Sequence, residues 1–438
     1  GGGRVSAPNG QSHVVIVGAG MAGLGCARRL ADHEHVRVTL VDRHNYHQFQ
    51  PLLYQVATSQ LAPSDIAFQM RKLFREHPNV DVKLADVAAV DAATRTVTTK
   101  EGDPLTGDAL VVASGSVPNF FHTPGAEQHA FPLYSLDDAT RLRSRVLGVF
   151  EDADRDPSLL DQGALNFVVV GGGPTGVETA GALGDMIRDT MTVEFRDLAV
   201  SAARVHLVDL GHVLLAAFSE TAHDYVAKIL QRKGVELNLG VRVTEVGAGH
   251  VTLSDGSTIA TRCVVWGGGI KSAPIGLAQG AGGRVNVLPD LTVDDAPNVY
   301  AIGDVANIPG PDGHYLPQLG SVAQQSGIWA ADNLLADFAG KPRKPFHYHD
   351  KGIMAMIGRG AAIAEVGAHR HELHGAIAHA AWLGVHATLM TGVRNRVEGF
   401  LDWGWDRFSS TRGPMVLDRS DAARIDWEDD RVSESALA

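Results

Sequence analysis

An apolar run that enters a glycine-rich turn and then a helix occurs twice in this chain. His13 to Val17 leads into Gly18-Ala19-Gly20-Met21-Ala22-Gly23, helical periodicity covers Met21 to Ala31, and Val36 to Val41 is a second apolar run. The pattern returns at Leu165 to Val170, Gly171-Gly172-Gly173-Pro174-Thr175-Gly176 and a helix through Gly184, then Arg204 to Val208. A strand joined to a parallel strand through a helix needs a sheet covered by helices. Two copies in one chain therefore predict an α/β protein with two Rossmann-like units, one nested in the other.

The glycines have separate jobs. Gly18 permits the tight turn, Gly20 lets backbone approach a pyrophosphate, and Gly23 lets helix and strand pack closely. Phosphate charge then rests on a helix N-terminus, where free N–H groups and the dipole favour an anion. Asp42 ends the following strand, 24 residues after Gly18, where a carboxylate accepts ribose hydroxyls. Gly171, Gly173 and Gly176 repeat the logic, with Asp209 as the acid 38 residues on. Met186 to Ala203 lengthens that second unit. A carboxylate at Asp209 bonds a free 2′-hydroxyl and repels a 2′-phosphate, which favours NADH over NADPH. Glu178 follows the second fingerprint and reads either as a helix-start acid complementing the dipole or as a functional carboxylate.

Three segments reinforce the scheme. Ala113-Ser114-Gly115 and Trp266-Gly267-Gly268-Gly269 end strands with residues small enough for a cofactor to lie alongside. Ala301-Ile302-Gly303-Asp304 puts an acid after a strand and a glycine. Further strands are expected at 80–84, 95–99, 109–113, 250–253, 263–266 and 298–302, and a helix over 324–338. Lys341-Pro342-Arg343-Lys344-Pro345 reads as a linker. Gly352 to Val366 is expected to supply strands. The tail from Asp418 is acidic and is expected to fray.

A net charge of −12 with no basic patch argues against a nucleic-acid partner. The two cysteines, Cys26 and Cys263, form no CxxC pair, so no disulfide scaffold, zinc site or iron–sulfur site is expected, nor any other metal. Gly1 to Gln11 lacks the apolar stretch of a secretory signal, which predicts a cytoplasmic chain.

From about Val14 to Leu417 the chain resembles the type II NADH dehydrogenases, the single-subunit, non-proton-pumping NADH:quinone oxidoreductases. The resemblance is carried by Gln50-Pro51-Leu52-Leu53-Tyr54-Gln55-Val56-Ala57 with Asp65-Ile66, by Arg196-Asp197, by Asp350-Lys351-Gly352 through Ile357-Gly358-Arg359, and by Trp382-Leu383 through His386, Gly392 to Arg396, Trp403, Trp405 and Arg412-Gly413. It implies FAD held by Gly18, Gly20, Gly23, Asp42, Val87, Ala113, Gly115, Gly303, Asp304 and Ala323. It implies NADH held by Gly171, Gly173, Gly176, Asp209 and Gly268, with Glu178 as the catalytic carboxylate near the nicotinamide and flavin rings. It implies FAD-binding segments at 11–125 and 289–345, an NADH-binding domain at 126–288, and a C-terminal region from 346 to 438. The acceptor would be a quinone at the start of a helix bearing Gly320, Ser321 and Gln324. The family usually has Ala-Gln where this chain has Gly320-Ser321. Two alternatives stay open: a soluble FAD/NADH reductase of a non-quinone substrate, and a nucleotide-sensing flavoprotein with little turnover.

The stretch from Leu373 to Val393 has no charged residue, and two apolar stripes follow helical spacing: Trp382, Val385 and Leu389, then Val393, Val397, Phe400, Leu401 and Phe408. The resemblance makes this region a membrane anchor on the inner face of the cell membrane and a support for a homodimer. Glu398, Asp402 and Asp406 dilute the positive charge an anionic lipid surface prefers, and helices packed on the protein's own core or on a dimer partner stay the open alternative.

Overall fold

The computed structural model describes residues 10–390, 393–417 and 424–429. It divides into two compact units. The first comprises Gly1–Gln48, Phe68–Val117 and Ile270–Asp350, and the second Phe49–Ala67, Pro118–Gly269 and Lys351–Ala438.

In the first unit, Ser12–Val17 lies inside a six-stranded sheet. The order is Thr292–Val293, Ala296–Ala301, Ala109–Val112, Ser12–Val17, Val36–Asp42, Val80–Leu84. All neighbours are parallel except Thr292–Val293. Its strands are near-continuous Val, Ile and Leu, and Val14, Val15, Ile16, Val38 and Leu40 are fully buried, as a sheet covered on both faces requires. Helices Met21–Leu30 and Gly320–Phe338 pack backbone to backbone, because a Cβ at Gly327 would meet the Ala22 carbonyl oxygen at 2.1 Å. The second helix begins at Gly320 rather than Gln324. Its N-cap is Leu319, with no side-chain cap, so the usual sequence signal is missing.

The lysine–proline segment is no free linker. The Asn333 amide exchanges two 2.9 Å hydrogen bonds with the Lys344 backbone, and Gln325 does the same with His349 at 3.0 and 2.9 Å. Residues 343–349 thus form a strap clamped along helix Gly320–Phe338.

The second unit holds a five-stranded parallel sheet ordered Phe131–Pro132, Cys263–Trp266, Asn166–Val170, Arg204–Asp209, Val235–Leu239. Gly352–Gly358, Ala361–Val366 and His371–His374 make an antiparallel meander. The meander sits against helix Pro174–Asp185 because a Cβ at Gly181 would meet the Ile357 carbonyl oxygen at 2.0 Å. Cys26 and Cys263 are buried thiols.

Two expectations about the C-terminal helices change. In Gly375–Leu389 the buried stripe is Ala378, Trp382, His386, and Met390 just beyond, whereas Val385 and Leu389 are exposed; the inward face follows i, i+4 spacing from Ala378. In Val393–Phe408 the exposed face is the apolar one, with Leu401 67% and Phe408 90% exposed. Its acids turn inward: Asp402 bonds Asp65, and Asp406 meets Arg359 and Arg412. Of Val393 itself the side chain lies outside the described residues. The acidic tail also lies outside them apart from Arg424–Asp429, which is docked. There the Arg262 guanidinium donates to the carbonyls of Asp426, Trp427 and Asp429, and Trp427 Nε1 donates to the buried Asp152 carboxylate at 2.9 Å. Among the described residues no helix is long and apolar enough to cross a membrane.

Candidate active site

The first fingerprint forms an open cradle. Gly18 adopts φ +97°, and a Cβ there would meet the Ala113 carbonyl oxygen at 2.1 Å. A Cβ on Gly23 would meet the Gly18 carbonyl oxygen at 1.7 Å, whereas one on Gly20 would meet nothing within 4 Å. Gly20 caps helix Met21–Leu30 without a side-chain hydrogen bond, so the first-turn N–H groups stay free for a ligand. Asp42 Oδ2 accepts Ala19 N–H and Oδ1 accepts His44 N–H, both at 2.8 Å. A carboxylate has about four acceptor positions, so two lone pairs remain. Dense packing beneath, open space above and free donors at the helix start fit a dinucleotide pyrophosphate.

Ala113 and Gly303 border this cradle. Gly303 has φ +70°, a conformation that favours glycine, and a Cβ there would also fall 2.9 Å from Ala22 and 3.5 Å from Ala323 beside the fingerprint helix. Burial raises the Asp304 carboxyl above the ordinary range, with Arg284 opposing. Gly115 accepts Ala273 N–H. Val87 opens a small separate sheet, pairing with Thr99. Gly320 lies against the end of the Met21 side chain, whose Sδ would have to shift to admit a Cβ, at 2.8 Å. Ser321 Oγ is engaged with the Tyr348 hydroxyl at 2.7 Å, and Gln324 is exposed. Gln318 instead reaches inward, donating to the Asp304 carbonyl at 2.9 Å.

The second fingerprint repeats the first. Gly171 has φ +116°, a Cβ on Gly176 would lie 1.8 Å from the Gly171 carbonyl oxygen, and Gly173 faces open space. Asp209 Oδ1 accepts Gly172 N–H at 3.0 Å and Oδ2 accepts Gly211 N–H at 2.9 Å. Gly268 follows strand Cys263–Trp266, whose Trp266 indole donates to the Asn119 carbonyl at 2.8 Å.

Glu178 stands in the second turn of helix Pro174–Asp185, past the turn where an acid complements the dipole. Burial pushes its carboxyl well above the ordinary range, against opposing hydrogen bonds from Tyr54 and the Met356 backbone. Burial first, then Glu178, raises the Tyr54 phenol. Tyr54 and Gln55 belong to helix Leu53–Ala57, which packs on the Glu178 helix. The sequence marked that segment as characteristic without giving it a site role; a Tyr-Gln pair in an otherwise apolar helix was the available signal.

Beside them is a second titrating group. Asp65 is buried and bonds Asp402, and burial, Asp402 and Glu398 raise its carboxyl to about 7. A folded pKa above the ordinary value means folding is favoured while the group is protonated, and the advantage is lost as pH rises toward 7. Asp65→Asn mimics the protonated form. Its stability gain over the parent is expected to grow from pH 4 to 7 and to be constant above about pH 7.5. Denaturant melts across pH check this; a gain independent of pH would refute it. Among the described residues no group of three or more His, Cys, Asp or Glu is placed to hold a metal ion.

Residues 12–327 match the family model described as pyridine nucleotide-disulphide oxidoreductase. The chain is 36% identical over 436 residues to the type II NADH:quinone oxidoreductase NdhA of Mycobacterium tuberculosis, covering 95% of this chain and 91% of that one. It is 28% identical to the Haemophilus influenzae type II NADH:quinone oxidoreductase over 81% of this chain and 87% of that one. The NDH2 of Plasmodium falciparum, solved in complex with NADH, shares the fold with a TM-score of 0.85 at 18% identity, covering 92% of this chain and 99% of that one.

Proposed function

The chain belongs to the pyridine nucleotide-disulphide oxidoreductases and, within them, to the type II NADH:quinone oxidoreductases, and from that premise we propose that it is an FAD-dependent enzyme that oxidises NADH and reduces a quinone. The overall balance is NADH + H⁺ + quinone → NAD⁺ + quinol. FAD, when bound, supplies the two-electron chemistry, receiving the hydride and returning electrons to the quinone. The observation that carries the reading is the duplicated cradle: two helix starts with open space above them, each braced by an acid that ends the next strand.

The roles of the chain's own residues follow. Gly18, Gly20, Gly23 and Asp42, with Ala113, Gly303, Asp304 and Ala323, hold FAD, and Gly115 and Val87 border it. Gly171, Gly173, Gly176, Asp209 and Gly268 hold NADH. Glu178 holds the proton that turnover consumes, since burial raises its carboxyl well above the ordinary carboxylate range and so favours the protonated form. The Gly320–Gln324 turn, with its Met21-filled Gly320 and Tyr348-bound Ser321, shapes the acceptor end. The division proposed for these roles is FAD-binding parts at 11–125 and 289–345, an NADH-binding domain at 126–288 and a C-terminal region from 346; the compact units differ from it in grouping 49–67 and 351–438 with 118–269, and 270–288 with the first unit. Purified protein with FAD should bleach on adding NADH and recolour on adding a soluble quinone under anaerobic conditions. No bleaching would sink the whole reading; bleaching without quinone-dependent recolouring would favour the non-quinone reductase.

Asp209→Asn keeps an acceptor oxygen for the loop but removes the charge that repels a 2′-phosphate. The preference for NADH over NADPH in kcat/KM is expected to fall about tenfold or more. An unchanged ratio would remove Asp209 from cofactor choice.

We assign the C-terminal region to peripheral membrane binding on the inner face of the cell membrane. Supporting this, Val397, Phe400, Leu401, Trp405 and Phe408 face outward while the helix's acids face inward. A homodimer through the same region is the companion expectation, read by sedimentation in detergent. Leu401→Glu with Phe408→Glu should abolish co-sedimentation with lipid vesicles; retained binding would send the apolar face to a protein partner.

A further inference from the structure

Helix Leu53–Ala57 and the C-terminal helix place three polar groups in line with Glu178. Trp403 Nε1–H donates to Gln55 Oε1 at 2.5 Å. Gln55 Nε2–H donates to the Tyr54 hydroxyl at 3.0 Å. The Tyr54 hydroxyl bonds the Glu178 carboxyl. Trp403, Gln55 and Tyr54 are all buried.

The direction of this chain is fixed by chemistry. An indole N–H only donates. It therefore holds the Gln55 amide with its oxygen toward Trp403 and its NH₂ toward Tyr54. The Tyr54 oxygen then accepts from Gln55, and its single proton is left to point at Glu178. Beside the line is a cavity of about 40 Å³, bounded by Tyr54, Gln55, Gln60, His379, Trp403 and Asp406 among others. That volume suits about three or four water molecules, at roughly 10–15 Å³ of accessible volume each, and Tyr54, Gln55, Gln60, His379 and Asp406 offer them polar partners within a lining that is otherwise apolar in the main.

We propose that Gln55 and Trp403 are positioning residues that aim the Tyr54 hydroxyl at Glu178, and that this cavity is the entry through which the proton consumed in turnover reaches Glu178. The inference rests on Glu178 being the proton-holding carboxylate. In the step, Tyr54 passes its hydroxyl proton to the Glu178 carboxylate as a cavity water gives a proton to the Tyr54 oxygen. One O–H bond forms on Glu178, the bond lost on Tyr54 is replaced, and bulk solvent reprotonates the water. No electrons move. The raised pKa of Tyr54 disfavours a free phenolate, so the two transfers are concerted.

The surrounding charges are accounted for. Asp185 lies near Tyr54 from the Glu178 helix. Asp406 is paired with Arg359 and Arg412, and Arg407 stands on the same helix. Burial lowers the pKa of His379, keeping it neutral at pH 7.

The test uses the FAD-loaded protein with Tyr54→Phe, Gln55→Leu and Trp403→Phe. The infrared carbonyl band of a protonated carboxyl, assigned by its loss in Glu178→Gln, gives the Glu178 titration midpoint. Losing an aligned donor to the ionised form should move that midpoint up by about one unit in each variant. Stopped-flow should show quinone-dependent recolouring slowed about tenfold more than NADH-dependent bleaching. The solvent isotope effect on recolouring should be larger. A midpoint and isotope effect unchanged from the parent in Tyr54→Phe and Gln55→Leu would overturn the relay. Should Trp403→Phe not fold, the near-isosteric Tyr54→Phe carries the test. Full quinone turnover in Glu178→Gln would instead strike the assignment of Glu178, and absent quinone turnover in the parent would strike the quinone-reductase reading.

Discussion

Gly23→Ala is expected to produce a protein that is purified without flavin and melts well below its parent. The added Cβ would sit 1.7 Å from the Gly18 carbonyl oxygen and 2.8 Å from its carbon. Relief requires moving backbone, and none is free to move. Gly18 donates its N–H to the Val41 carbonyl at 2.8 Å, and its own face is closed by the Ala113 carbonyl. Overpacking of a rigid core costs on the order of 1–3 kcal/mol or more. Gly20→Ala separates the two consequences. Its Cβ meets no protein atom within 4 Å and its φ is −72°, so stability should be kept while flavin affinity falls. Gly176→Ala, whose Cβ would lie 1.8 Å from the Gly171 carbonyl oxygen, should instead retain flavin and raise the KM for NADH. Flavin content by absorbance, melting temperature and NADH kinetics read all three; a flavin-replete Gly23→Ala would remove the first cradle from FAD binding.

Arg412→Met is expected to destabilise the second unit by about 3–5 kcal/mol. Arg412 is 6% exposed, donates from Nη1 to the Thr58 carbonyl at 2.6 Å and pairs through Nε with Asp406 at 3.1 Å. Burial lowers its pKa, and Asp406 opposes that shift. Asp406 also meets Arg359, whose backbone N–H reaches Asp185, itself paired with Lys233 at 2.7 Å. Removing one cation leaves the half-buried Asp406 with less compensation. The double change Arg412→Met with Asp406→Leu removes charge in pairs and should recover much of the loss. Chemical denaturation of the purified protein measures both; a double variant no better than the single would locate the cost in packing.

Both fingerprints were legible because their constraints are local. A strand, a turn of defined φ and a helix start lie within a dozen residues, and glycine spacing encodes the contacts that exclude a Cβ. Strands 80–84, 250–253 and 263–266 were legible for a similar reason, being apolar runs between turn residues. The start of helix Gly320–Phe338 was not, because no capping side chain marks it. Nor was the clamped strap, whose two amide clamps come from Gln325 and Asn333, far enough along the chain to look like ordinary surface residues.

The C-terminal helices show where local reading stops. Helical periodicity finds an apolar stripe, but it does not say which side faces the protein. Here the acids are inward, because Asp65 and Arg359 arrive from distant segments and Arg412 folds back from just beyond the helix to meet them.

Taken alone, the sequence determined two dinucleotide cradles, the acid that braces each, and a family through its characteristic segments. Tertiary structure decided that Tyr54, Gln55 and Trp403 line up on Glu178, that Ser321 is engaged by Tyr348, and that the C-terminal helix turns its acids inward. The physical reason is range: backbone conformation and helix starts are set by neighbouring residues, whereas desolvation and hydrogen-bond direction depend on groups hundreds of residues apart that only folding brings into contact.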